Sequence, residues 1–248
     1  MSERKSAVAH KIRRRNTILA LFTIIILIGV CLFTPLFDIT DVSVIGNKIL
    51  SEEDIVKASG IKKGSNLFLL NIKKSEERIN SLGYVDSVDV KRKFLARIEI
   101  EITESVEAAY ITFAGNYVGI DSDGKILSIT KSSKMRPKKA VVSGYALKNP
   151  RKGEKIEGKN EAKTQLVKNV LTALNENELL SVAKKIDLSD TSNISVTLNS
   201  DTKIVLGDKQ QLDYKLKCVG TVLEELGEIR GGKINVSDPS NVIYEGGN

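Results

Sequence analysis

The stretch Arg97-Ile98-Glu99-Ile100-Glu101-Ile102-Thr103-Glu104 alternates apolar and polar residues without a break. Successive side chains of a strand point to opposite faces, so a period of two predicts a strand with one wet face. Ile98, Ile100 and Ile102 face inward, and the pattern suits a half-buried antiparallel strand. Working back along the chain, Val85–Val90 reads as its neighbour, with Val88 and Val90 inward. A helix over Ile72–Leu82 precedes it, with Ile79 and Leu82 on one face and Gly83 at its C-terminus. A shorter helix starts after Ser51, the N-cap of a Ser-Glu-Glu-Asp box, with Leu50 and Ile55 placed as a hydrophobic staple. Gly60 ends it. Asp38–Ile45 supplies a first strand through Val42 and Val44. Residues 38–104 therefore form a β-α-α-β-β domain.

Working forward, residues 105–248 form a mixed β domain with two helices. Ala108–Thr112, Tyr117–Ile120 and Lys125–Ile129 read as a meander, with Asp121-Ser122-Asp123-Gly124 as a tight turn. Ala140–Val142 is a further strand. One helix carries Leu166, Val167, Val170, Leu171 and Leu174. The other carries Leu212, Leu216, Val219, Leu223 and Leu226, with Gly227 as its cap. Strands near Val182–Leu188, Ile194–Leu198, Lys203–Leu206, Lys233–Val236 and Asn241–Tyr244 complete an α+β chain.

Ahead of this lie residues of another kind. No charge occurs from Asn16 to Phe37, and fourteen of the twenty residues Ile18–Phe37 are Ile, Leu, Phe or Val. A helix of about 20 apolar residues spans a bilayer core. The flanks set its direction: Arg4, Lys5, Lys11, Arg13, Arg14 and Arg15 precede it, and Asp38 follows. The positive-inside rule then leaves a cytoplasmic tail (1–16), a transmembrane signal anchor (17–37) and an exterior 38–248. The apolar run exceeds that of a cleavable signal and no small-x-small site follows it.

This topology divides the charge. The chain has 248 residues and a net charge of +7, which alone invites a nucleic-acid partner. Six of the Lys and Arg but one Glu lie in residues 1–37, so the exterior part holds 32 basic and 30 acidic residues. What remains is local. Residues 131–155 hold nine Lys or Arg against Glu154 alone, and few aromatics interleave with them, which argues against nucleic acid. Lys134, Arg136, Lys138, Lys139, Arg151 and Lys152 are candidates for contact with anionic lipid or wall polymer, or form a solvated loop.

Catalytic signals are weak. His10, the one histidine, lies in the tail, so no exterior Ser-His-Asp or Cys-His device forms. Cys218 is the lone exterior cysteine and reads as a small buried hydrophobe. Asp121-Ser122-Asp123-Gly124 opens like a calcium loop, but Lys125 and Ser132 stand where oxygen ligands belong. No cofactor motif is present.

The order of these parts resembles the FtsQ/DivIB family of bacterial cell-division proteins, and the β-α-α-β-β unit resembles a POTRA domain. The matching residues are Val44-Ile45-Gly46-Asn47, Gly60 and Gly64 before Asn66-Leu67-Phe68, Leu82–Val85, Val88-Asp89-Val90, Arg92 and Ile98–Glu104. Beyond them Ala109-Tyr110-Ile111, Tyr117–Leu127 and Val142-Ser143-Gly144 fit the family's second domain. Leu95 and Glu107 stand where the family often has Pro, and Gly83-Tyr84 replaces a frequent Pro-Trp-like pair. These residues shape turns and the joint between domains.

The resemblance implies a non-enzymatic scaffold at the division septum that helps control septal peptidoglycan synthesis. Its implied partners are small coiled-coil membrane proteins of the FtsB/DivIC and FtsL types. It also implies that the far end of the β domain takes up a partner strand. Carried onto this chain, that edge is Lys233, Ile234, Asn235, Val236 and Ser237, with Val242, Ile243 and Tyr244 nearby. A POTRA-bearing protein of sporulation or export, and a cell-wall enzyme, are the competing readings.

Overall fold

A computed structural model describes residues 2–134, 137–227 and 229–247, and of residues 2–13, 31–33 and 36 the backbone alone. The chain divides into two compact units. One comprises residues 1–79 and 88–102, the other residues 80–87 and 103–248.

The first unit begins with α1 (Ser2–Phe33). Its apolar side chains from Ile18 to Val30 are exposed around the whole circumference. Among the described residues no helix is long and apolar enough to cross a membrane; the described side chains of α1 run only from Arg14 to Val30, short of the roughly 20 that a span needs. A short 3-10 turn, Pro35–Phe37, leads to β1 (Asp41–Ile45), α2 (Glu52–Ser59), α3 (Ile72–Asn80), β2 (Val85–Lys93) and β3 (Arg97–Glu104).

Local chemistry explains these elements. The Ser51 side chain accepts from Asp54 N and caps α2, satisfying one of the first-turn donors. Gly60 closes α2 in the left-handed conformation. Ile55 and Ile79 are fully buried, as are Ile98 and Ile100, so each amphipathic helix lays its stripe on β3 and its neighbours. α3 ends at Asn80, so Leu82 lies beyond it.

The pairing of β3 departs from expectation on one side only, since the three-residue turn from β2 requires an antiparallel neighbour there. β3 is the central strand, in the order β1-β3-β2, and runs parallel to β1, Asp41↔Arg97 through Ile45↔Glu101. A period of two reports one buried face. It carries no information on partner direction, because parallel and antiparallel ladders both alternate their side chains.

The larger unit holds β4 (Ala109–Phe113), β5 (Asn116–Ile120), β6 (Ile126–Lys131), β7 (Ala140–Ser143), α4 (Glu161–Glu176), β8 (Ala183–Asp187), β9 (Ile194–Leu198), β10 (Lys203–Gly207), α5 (Leu212–Leu226), β11 (Lys233–Asn235) and β12 (Ile243–Glu245). The strands form one sheet in the order β12-β11-β10-β9-β8-β7-β4-β5-β6. β4 and β8 both run parallel to β7, and β11 runs parallel to β10. Each helix serves as the crossover a parallel pair requires: α4 joins β7 to β8, and α5 joins β10 to β11.

Register builds the core. Ile129, Val118, Ile111, Val142, Ile186, Val196, Ile204, Ile234 and Tyr244 stand side by side across all nine strands. The buried faces of α4 (Leu166, Val167, Val170, Leu171, Leu174) and α5 (Leu212, Leu216, Val219) share one cluster with this row. Cys218 is half-buried at its margin. At about 25 cal/mol per Å2 of apolar area, this burial is the main term holding the unit together.

Candidate functional site

The end of the sheet at β10–β12 carries the expected partner-binding residues. Lys233, Ile234 and Asn235 form β11, which pairs with β10 on one side and β12 on the other. Val236 is fully buried and its N–H donates to Val205 O at 2.9 Å. Ser237 donates from N and Oγ to Asn235 Oδ1, turning the chain out of the strand. Lys233–Val236 is therefore interior to the sheet, and Ser237 leaves it. The outer strand is β12. Its Tyr244 faces the core, while Ile243 and Glu245 face away and are exposed. Val242, just before it, packs half-buried against the core.

The two edges of the sheet differ. At β6, residues 153–156 lie against the start of the strand: Ile126 N donates to Glu154 O and Gly153 N donates to Ile126 O, both at 2.8 Å. Beyond β12 no described residue pairs. A strand with one unpaired side presents a row of N–H and C=O groups to an incoming chain.

The row next to the apolar one faces the other way. From β8 to β12 it reads Lys185, Thr197, Lys203, Lys233 and Glu245. Lys203 and Lys233 stand directly side by side, an unfavourable like-charge neighbour pair that Glu245 partly offsets, 3.4 Å from Lys233. An irregularity at Ala183/Lys185 adds Lys184, which pairs with Asp201 at 2.6 Å. Lys185 pairs with Asp187 at 2.8 Å and, with Ser189, holds its carboxyl far below the usual range.

The basic stretch 131–155 is not one patch. Lys138 and Lys139 line a concavity of about 370 Å3 with Lys184 and Lys185. Arg151 and Lys152 belong to the loop along the start of β6, where Arg151 lies 3.7 Å from Glu154. Lys134 follows the other end of β6. Arg136 lies outside the described residues, as does the side chain of Arg13; Arg14 and Arg15 are exposed on α1. Sequence reading missed Lys184, Lys185 and Lys203. Each is an ordinary outward strand position, and only cross-strand register groups them.

It also missed a polar cluster behind β4 and β5. The Glu107 carboxylate accepts from Tyr84 (2.7 Å), Tyr110 and Ser128. The sequence held a signal for it, because Tyr84 and Glu107 both depart from the expected pattern. Burial first, then the Glu107 hydrogen bond, pushes the Tyr84 phenol up to about 12. Tyr110 is raised for the same reasons. A phenol near 10 when unfolded and higher when folded contributes stability that is whole below pH ~10 and lost as pH rises through about 12. Alkaline titration should therefore show late phenolates appearing together with unfolding, one of them missing in Tyr84→Phe. If all six tyrosines ionised near the free value with the fold intact, the cluster would be misdescribed.

Among the described residues no three His, Cys, Asp or Glu are placed to hold a metal. Comparison with known proteins fits this architecture. The FtsQ-type POTRA domain matches residues 37–105. The FtsQ/DivIB C-terminal domain matches residues 109–239, more than half of the chain.

The chain belongs to the FtsQ/DivIB family.

A role in cell division comes with that membership. Among curated FtsQ/DivIB proteins, the cell division protein DivIB of Clostridium tetani is 29% identical over 228 residues, covering 90% of this chain and 85% of the relative. DivIB of Clostridium acetobutylicum is 29% identical over 223 residues, covering 89% and 88%. The cell division protein FtsQ of Corynebacterium glutamicum is 24% identical over 215 residues, covering 85% and 87%. The family's C-terminal match ends at Pro239, so β12 falls beyond it.

Proposed function

We propose that this chain is a non-enzymatic division scaffold, tied to the cell membrane by α1, whose open β12 edge takes up a strand from a small single-span coiled-coil partner of the FtsB/DivIC or FtsL type. The open edge carries this reading: no described residue pairs with the outer side of β12, whereas the start of β6 at Ile126 is bonded by residues 153 and 154. An incoming strand gains main-chain hydrogen bonds, and exposed Ile243 offers it an apolar contact. In this scheme residues 1–16 are a cytoplasmic tail, 17–37 the anchor, 38–104 the POTRA domain and 105–248 the β domain, in a type II protein gathered at the septum. Through its partners the scaffold helps control septal peptidoglycan synthesis. The exposed apolar surface of α1 from Ile18 to Val30, preceded by Arg14 and Arg15, supports the anchor. Of the basic stretch, Lys138 and Lys139 are the proposed anionic contact, because β8 adds two lysines beside them.

Proline at position 243 or 244 tests the edge. One of the two neighbours directs its N–H away from β11, since donors alternate along an antiparallel strand, and proline deletes that donor. Full-length Ile243→Pro and Tyr244→Pro are measured against the two coiled-coil proteins in detergent. At least one should bind about tenfold more weakly, the loss of about one backbone hydrogen bond. If both variants bound normally, the edge would not be the site.

A further inference from the structure

The end of the first unit from which β1 starts is apolar where water would be expected. Phe94 is 88% exposed and Leu69 68%, with Phe68 and Leu95 beside them in sequence and also exposed. These four side chains come from two separate loops. Arg92 joins the loops, donating from Nε to Leu67 O at 3.0 Å and from Nη2 to Leu70 O at 2.9 Å. Thr40 N, just ahead of β1, donates to Ala96 O at 3.0 Å and so fixes the 94–96 turn to the same end.

That turn is strained. Leu95 and Ala96 are consecutive non-glycine residues with positive φ, 64° and 55°. Side chains disfavour this region, and such strain collects where a protein uses a conformation. Here it projects Phe94 and Leu95 outward. A monomeric soluble surface rarely groups large exposed apolar residues in this way.

The chain's own path says what covers them. α1 ends at Phe33, and four residues later Phe37 meets the apolar end directly. Its ring lies 5.0 Å from that of Phe68, and its carbonyl accepts from Leu67 N at 2.8 Å. The apolar end thus sits where the apolar helix leaves off. Cations flank both loops in sequence: Arg92 and Lys93, the latter paired with Glu99 at 2.8 Å, precede Phe94, and Lys73 and Lys74 are exposed on the first turn of α3. Exposed aromatic and aliphatic tips followed or preceded in the chain by long cationic side chains match the boundary between lipid headgroups and acyl chains.

We infer that Phe68, Leu69, Phe94 and Leu95 insert into the lipid interface around the end of α1, so that the POTRA unit rests on the bilayer. This rests on the proposed anchoring by α1. Insertion reaches roughly 5–10 Å into the headgroup boundary, and the cations favour an anionic leaflet.

The test uses the full chain with Cys31 and Cys218 replaced by Ser, reconstituted into phosphatidylcholine vesicles containing phosphatidylglycerol. A polarity-sensitive fluorophore is placed singly at Ile25→Cys, Leu69→Cys, Phe94→Cys or Ile45→Cys, and nitroxide-bearing lipids report its depth. Position 25 should be quenched deep in the core. Positions 69 and 94 should be quenched at the interface. Position 45, at the other end of β1, should stay aqueous. Adding Phe94→Glu and Leu95→Glu should abolish quenching at position 69 while the unfolding temperature holds, since both residues are exposed. Quenching at 25 without quenching at 69 or 94 overturns the inference and leaves the anchor standing. Absence of quenching at 25 overturns the anchor reading, and this inference with it.

Discussion

Gly144→Ala is expected to destabilise the larger unit by about 4 kcal/mol, among the largest effects of a single methyl group. Gly144 has φ +80°, and a Cβ there would lie 2.1 Å from Ser189 N and 2.4 Å from Leu188 C. Both obstacles are backbone, so no rotamer relieves them. Their retreat is resisted too. Leu188 N donates to Ser143 O at 2.9 Å. From α4, Lys163 Nζ reaches the carbonyls of Gly144, Leu188 and Ser189 at 3.1, 3.2 and 3.4 Å. The junction of β7, β8 and α4 is thus closed around a residue with no side chain. In thermal unfolding of the full chain, the corresponding loss is roughly 8–16 °C for a unit of this size. Gly64→Ala is the control: its φ is +82°, but nothing lies within 4 Å, so only the backbone strain of about 1–2 kcal/mol remains. Equal losses in the two variants would show that the close approach is not the cause.

Glu107→Ala should cost about 3 kcal/mol. It removes the shared acceptor of three part-buried hydroxyls, those of Tyr84, Tyr110 and Ser128, and a donor that loses its acceptor away from bulk water costs about 1 kcal/mol each. The carboxylate packs closely on the backbone of Gly119, where a Cβ would come within 2.4 Å of Oε1. Tyr84→Phe alone removes one donor and leaves the acceptor with two, so about 1 kcal/mol is expected. The two changes share a hydrogen bond, and the double variant should lose less than the sum. Urea midpoints of the four proteins decide this. A Glu107→Ala loss within about 0.5 kcal/mol, the range of ordinary surface substitutions, would mean that the cluster is solvated.

These two predictions mark the limit of what was legible in the sequence. Gly144 stood out by its resemblance to a family marker, and the fold supplies the reason: two backbones pass within a Cβ of each other. Tyr84 and Glu107 stood out as departures from that pattern. Read singly they suggested altered turns. Together they are one hydrogen-bonded arrangement, and their separation of twenty-three residues hides this from any local reading.

The amino-acid sequence by itself determined the elements. Periods of two and 3.6, the Ser51 cap and the glycine stops are local signals, because they follow from where one residue's side chain points relative to its near neighbours. It also determined the family. The tertiary structure alone decided how strands pair. It made β3 parallel to β1, placed β11 inside the sheet with β12 as the open edge, and ranged Lys185, Lys203 and Lys233 in one row. Pairing joins residues far apart in the chain, and alternation is the same whichever partner a strand takes and whichever way that partner runs.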